Sequence, residues 1–233
     1  MGISHTLRAM AAMARVTVPT LLEAARGQLT RAATDERTRQ FAREVVEVLA
    51  IDLRVTGGQS LSPTGTYVYM SNHQSHLDIP VLYAAMPSPT IRMVAKAELF
   101  KVPLWGRGLR AAEFIEIDRA DRTRAVASMQ RAAELVRDGV SVYLAPEGTR
   151  SRDGRIGPLK KGGFHLALST GVPIVPVAVR GTMDILPRGG RSSKLGQTVH
   201  VHVGDPIPVV GRAMDDLMRE VADFLRKHVE GDA

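Results

Sequence analysis

A chain of 233 residues, 44% of them apolar, holds enough material for one domain with a real core and excludes a disordered protein. It contains no cysteine, which removes disulfides, zinc–thiolate sites and a thiol nucleophile and leaves histidine as the obvious base. The net charge of +7 is concentrated in the middle, where residues 91–165 carry fifteen Lys/Arg against nine Asp/Glu, and this points to an anionic partner: nucleic acid, a phosphorylated small molecule or an acidic membrane face.

No run approaches the roughly 18 to 20 apolar residues that cross a bilayer, and no secretory signal opens the chain, so a place on the cytoplasmic side is expected. The start "MGISHT" fits the short myristoylation pattern and is read as a chance match. From His5 to Leu29, apolar residues including Leu7, Met10, Val18 and Leu22 recur at helical spacing with Arg8, Arg15 and Arg26 between them. Pro19 is expected to start a second helical segment, and Asp35 to cap a helix running through Phe41, Val45 and Leu49. Residues 1–50 thus read as an amphipathic helical annex, and residues 51–233 as the main domain.

Seven β-like runs follow, at 51–55, 66–70, 91–95, 114–117, 141–145, 174–179 and 198–203, with helical patterns near 76–86, 121–137, 160–170 and 213–229. Strands alternating with helices predict an α/β fold: a mixed, mostly parallel sheet flanked by helices. Ligands bind such sheets beyond the carboxyl ends of the strands. The polar segments "NHQSHLD", "KAEL", "DRADR" and "PEGTRS" all follow strands directly.

In "SNHQSHLDIP", His73 and Asp78 are five residues apart, about 140° out of line on a regular helix, so they meet only if His73 lies in the turn before the helix. Ser71, Asn72 and Ser75 supply turn-forming side chains there. Asp78 would then fix the imidazole tautomer and leave the other nitrogen free to take a proton. A three-ligand metal site at His73, His76 and Asp78 is the weaker reading, because no further ligand cluster completes it and His165, His200 and His202 are far along the chain. In "PEGTRS", Gly148 allows close backbone approach, Arg150 offers a planar fork suited to phosphate, and Glu147 would hold a neighbour or a hydroxyl.

His73 to Asp78 has the form His-x-x-x-x-Asp, and it is followed in order by "VAKAEL", "FIEIDR", "APEGTRS" and "VPIVPVAV". Together these resemble the signatures of the glycerolipid acyltransferases of the 1-acylglycerol-3-phosphate acyltransferase type, over about residues 51 to 210. The resemblance implies that His73 is the general base, oriented by Asp78, and that the acceptor hydroxyl attacks an acyl thioester to give phosphatidic acid. It implies further that Lys96, Arg119 and Arg150 bind the acceptor phosphate, with Glu147, Gly148 and Thr149 matching the third signature. One departure is Glu113, where the second signature usually has glycine.

No metal and no cofactor are implied, only acyl-coenzyme A or acyl carrier protein as co-substrate. The expected partners are the lysophospholipid, the thioester and an anionic membrane surface, which the N-terminal helices or the basic 91–165 region would meet. Lys160 and Lys161 lie either near the donor's phosphates or at an ordinary basic helix start. Alternatives are an acceptor such as lyso-ornithine lipid, glycerol 3-phosphate or a glycolipid, a non-catalytic lipid or anion binder, and a metal hydrolase. An aromatic content of 4% speaks against nucleic acid.

Overall fold

The computed structural model describes residues 3–86, 90–118, 120–190 and 192–231, with the side chains of the first helix described from Ala14 onward. Arg119 and the side chains of Leu7, Arg8 and Met10 lie outside the described residues.

Seven strands, β1 (Asp52–Gly57), β2 (Val68–Ser71), β3 (Ile91–Lys96), β4 (Ile115–Ile117), β5 (Ser141–Leu144), β6 (Ile174–Arg180) and β7 (Thr198–Val203), form one sheet in the order β1-β7-β6-β2-β5-β3-β4. Every neighbouring pair is parallel except β6 and β7. The expected mixed, mostly parallel sheet is therefore present. β2 and β5 are buried at every position, because helices cover both faces of the sheet, and they read as apolar runs without alternation.

One core layer sits under α3 (Asp78–Ala85), where Val81 and Leu82 meet Tyr69 and Val177. The other lies under α5 (Arg122–Arg137), α6 (Gly162–Thr170) and α8 (Met214–Val229), where Leu135, Phe164 and Leu217 pack on Val68 and Val142. Short helices α4 (Trp105–Ala111) and α7 (Thr182–Ile185) and a 3-10 turn at Ala97–Lys101 lie between the strands.

Two N-terminal expectations are corrected. Helix α1 (Ile3–Ala25) runs through Pro19 without a break. The carbonyl that Pro19 leaves without an N–H partner belongs to Arg15, which is exposed, so water can satisfy it. Helix α2 (Arg31–Val48) is capped by Thr30, whose side chain accepts from the Ala33 N–H, and not by Asp35. Asp35 lies inside the helix, buried, and accepts from Arg92 Nη1 at 2.5 Å and from the Thr90 hydroxyl at 2.6 Å.

Arg92 is 1% exposed, and its Nε and Nη2 have no hydrogen-bond partner among the described residues, so Asp35 is its principal countercharge. Removing one member of a buried pair strands the other charge in a medium that solvates it poorly. Asp35→Ala should lower the unfolding free energy by about 3 kcal/mol or more. A urea titration of the variant against the wild type measures this; an unchanged midpoint would show that the pair does not tie α2 to the sheet.

Candidate active site

Strand β2 ends at Ser71 in the centre of the sheet, and the next residue ties that end to β6. The buried Asn72 amide donates to the Val179 carbonyl at 2.7 Å and accepts from the Val179 N–H at 2.8 Å, so a side chain prolongs the pairing of the two strands. His73 to Leu77 then form a turn, and α3 begins at Asp78. Asp78 is fully buried. Its Oδ2 accepts the N–H groups of Gln74 at 2.7 Å and Ser75 at 3.0 Å, and it lies 2.8 Å from His73 Nδ1.

Backbone N–H groups can only donate, so Oδ2 is an acceptor, and the ring contact is a third donation into it. Nδ1 therefore carries a proton, and in the neutral ring the lone pair is on Nε2. The Nε2 atom makes no hydrogen bond among the described residues, and the His73 side chain is 17% exposed. The expected pairing in the turn before the helix is thus what the structure contains.

The other carboxylate oxygen, Oδ1, faces the Thr182 hydroxyl at 2.5 Å. Thr182 is buried at the start of α7, just beyond β6, and is reached through Gly181 at φ +103. A Cβ on Gly181 would stand 2.5 Å from the Thr198 carbonyl oxygen, so no other residue fits without moving β7. No motif in the sequence singles out Thr182. The signal was available in "RGT", a glycine and a hydroxyl residue directly after a strand that ends at the same sheet edge.

The segment after β5 supplies the second half of the site. Glu147 is 6% exposed and accepts the His73 N–H on Oε1 at 3.0 Å and the Gly157 N–H on Oε2 at 3.1 Å. It holds neighbours, one of the two roles expected for it. Gly148 takes φ +72, the left-handed conformation that turns the chain back. The Ser151 N–H donates to the His73 carbonyl at 2.7 Å, so the backbone of the histidine is gripped on both sides by this loop.

Beyond His73, Glu147, Thr149 and Arg150 line an open cleft of about 520 Å³ together with Arg152, Arg155 and Arg188. Arg188 reaches across from the chain after α7, its Nη1 donating to the Arg150 carbonyl at 3.0 Å. One acidic residue besides Glu147, Asp153, lines this cleft, and it is engaged by Ser151 and the Arg155 N–H. The three further arginines were not foreseen, although "TRSRDGR" spells out two of them. Nearby, the His76 pKa is lowered, first by desolvation and next by repulsion from Arg150.

Lys96, at the end of β3, does not line this cleft: its ammonium is exposed and pairs with Glu98 at 3.2 Å. β5 stands between β3 and β2. Arg119 lies outside the described residues. Among the described residues no group of three or more His, Asp or Glu side chains is arranged to hold a metal ion.

The sequence pattern of the family named Acyltransferase matches residues 52–180, more than half of the chain. The chain belongs to that family. Among curated relatives of this acyltransferase domain, a chloroplastic 1-acyl-sn-glycerol-3-phosphate acyltransferase of Brassica napus is 41% identical over 60% of this chain and 40% of its own length. A chloroplastic counterpart in Arabidopsis thaliana is 36% identical over 66% of this chain and 43% of its own. The chain thus spans less than half of those two proteins. The crystal structure of the 1-acyl-sn-glycerophosphate acyltransferase PlsC of Thermotoga maritima has a fold similar to that of this chain, with a TM-score of 0.77 and 25% identity, covering 97% of this chain and 96% of that one.

Burial raises the Glu147 pKa, against the opposing pull of its bonds from Gly157 and His73. A carboxyl whose folded pKa lies above its unfolded value makes the native state lose stability as pH rises through the folded value and regain it on acidification. Glu147→Gln keeps one acceptor for two N–H groups and should destabilise by about 1–3 kcal/mol at pH 7. As pH falls toward 5, the wild type should gain stability relative to this variant. Urea titrations at the two pH values test the sign; a wild type that weakens relative to the variant on acidification would mean that the carboxylate is stabilised by its bonds and not penalised by burial.

Proposed function

We propose that the chain transfers a fatty acyl group from an acyl thioester to the free hydroxyl of 1-acylglycerol 3-phosphate, giving phosphatidic acid. The observation that carries this reading is a histidine whose Nδ1 is held by a buried carboxylate and whose Nε2 is left for substrate, beside a cleft lined by four arginines. An alcohol is almost wholly protonated at neutral pH, so attack on a thioester needs a base in place. Nε2 takes the hydroxyl proton as the oxygen bonds to the carbonyl carbon, and the new ester forms as the carbon–sulfur bond breaks. The imidazolium returns the proton to the departing thiolate. Asp78 stays ionised throughout and stabilises the charged ring.

The acceptor phosphate sits among Arg150, Arg188 and their neighbours, where planar guanidinium groups donate in pairs to phosphate oxygens. Glu147 holds the His73 backbone relative to that cleft. No cofactor step is needed, because the nucleophile is the acceptor's own hydroxyl and the thioester is already activated. An acceptor without a phosphate, such as lyso-ornithine lipid, would leave four arginines in the cleft facing only Glu147 and Asp153.

The acceptor resides in a bilayer, so this reading places the chain at a membrane surface as a peripheral protein, on the cytoplasmic face. Among the described residues no helix is long and apolar enough to cross a membrane. Support for surface contact comes from α1: Thr17 and Thr20 are buried against the domain, while Val18 is 48% and Leu22 50% exposed, one turn apart on the outer face near Arg15 and Arg26.

Purified chain with lysophosphatidate and acyl-coenzyme A should yield phosphatidic acid, identified by mass. His73→Ala and Asp78→Asn should each lower kcat by about 10² or more in a folded protein. Arg150→Gln should raise the KM for lysophosphatidate about tenfold or more while thioester hydrolysis is unchanged. Wild-type turnover in His73→Ala, or equal losses of both activities in Arg150→Gln, would remove the assignment. For the membrane, Val18→Asp combined with Leu22→Asp should release the protein from anionic liposomes in a flotation assay; retained binding would move the contact to the basic 91–165 surface.

A further inference from the structure

A second open space flanks the same loop on its other side. Between α5 and α6 lies a groove of about 1150 Å³ whose floor is apolar, formed by Val94, Ile117, Leu144 and Met129, with Val126 52% exposed along its wall. It ends against Ala145, Pro146 and Gly148, the residues on either side of Glu147. The arginine cleft touches Glu147, Thr149 and Arg150 instead. Residues 145–150 are therefore a partition with one substrate-sized space on each side, and Glu147, which holds His73, is part of it.

The rim of the groove carries Arg122, Arg137 and Lys160, with Glu134 as its acidic residue. All three cations are exposed, and none makes an ion pair among the described residues, whereas Lys161 next door pairs with Asp215 at 3.9 Å. The stem of Lys160 lies against Gly148, with its Cγ 3.6 Å from where a Cβ would be, and its N–H donates to the Pro146 carbonyl at 2.7 Å. That ammonium marks the corner at which the groove meets the catalytic loop. At the N-terminus of α6, Gly162 leaves the space open: the first atom an added Cβ would meet is Met129 Sδ, at 4.0 Å.

We propose that the α5–α6 groove is the donor entrance, taking the phosphopantetheine arm of the acyl thioester with its apolar part on the floor and its phosphate on Arg122, Arg137 and Lys160. This rests on the acyl-transfer reading and adds to it the side from which the second substrate arrives. The two substrates do not compete for one opening. The acceptor's phosphate is held on one side of the partition, the donor's on the other, and their reactive ends meet at its edge, at His73. Coenzyme A and acyl carrier protein share this arm, so the groove serves either source.

Kinetics of the full chain test the assignment with three donors: an acyl-coenzyme A, the same acyl group on carrier protein, and its N-acetylcysteamine thioester, which lacks the phosphate. The double variant Arg122→Glu/Lys160→Glu should raise KM for the first two about tenfold or more, and leave KM for the third and for lysophosphatidate within about twofold. Gly162→Phe, which plugs the groove from a surface helix start, should raise KM for both phosphate-bearing donors. Losses confined to carrier protein would place the contact on that protein. Losses confined to coenzyme A would place it on the nucleotide. A rise in lysophosphatidate KM would give the groove to the acceptor. Each of these overturns the proposal, as does no change. Equilibrium binding of coenzyme A, expected to weaken about tenfold or more in the double variant, decides the groove even if the wild type transfers no acyl group.

Discussion

The site depends on one buried carboxylate. Asp78 has no exposed surface, and a charge removed from water persists only if donors replace its hydration. Four do: two backbone N–H groups of the turn, the His73 ring and the Thr182 hydroxyl. Three of these come from the end of β2 and the fourth from the end of β6. The same carboxylate that orients the imidazole therefore also fixes the turn that carries it and joins two strands' exits. Orientation of the base and stability of the loop are a single interaction, which is why the histidine needs no packing of its own and can keep an edge open to substrate.

Sheet order does the rest of the positioning. β2 lies between β6 and β5, so the three segments that leave these strands emerge side by side: Asn72 to Ser75, Thr182, and Glu147 to Ser151. Parallel direction puts all three at the carboxyl edge, where no strand continues and side chains can converge. Asn72 and Glu147 extend that order past the last paired strand residues by binding backbone groups, Val179 in one case and His73 in the other. The result is a loop cluster fixed on the sheet, with open space on both sides of the 145–150 segment.

Much of this was legible. Seven strands were located because the central ones, buried on both faces, stand out as short β-branched runs, and the reactive segments followed them directly. The His73 and Asp78 pairing could be argued from spacing, since five residues are incompatible with one helix face. What escaped was information that resides in contacts. Asp35 has the composition of a cap, and nothing local distinguishes a cap from a buried partner of Arg92, 57 residues away. Pro19 frees the Arg15 carbonyl, and whether water can satisfy it depends on which face the fold exposes. The short helix Trp105–Ala111 contains two glycines and fewer than two turns of pattern. Arg188 joins Arg150 only through the fold.

Glu113 shows how a local departure can be read once its surroundings are known. The resemblance places a glycine at this position, and the backbone there adopts φ +63, a conformation that strains a side-chain-bearing residue by about 1–2 kcal/mol. A glutamate persists because its carboxylate is used: Arg31 of α2 donates to it twice, at 2.8 and 3.0 Å, and Arg92 Nη2 stands 3.8 Å away. The Arg31 bonds are the main reason its pKa is lowered. A glycine would relax the turn, remove both Arg31 bonds and leave Asp35 as the countercharge of the buried Arg92. The residue thus exchanges backbone strain for an ionic link between the N-terminal helices and the start of β4. The departure from the family pattern adds a second ionic link from α2 to the catalytic sheet, beside the Asp35–Arg92 pair.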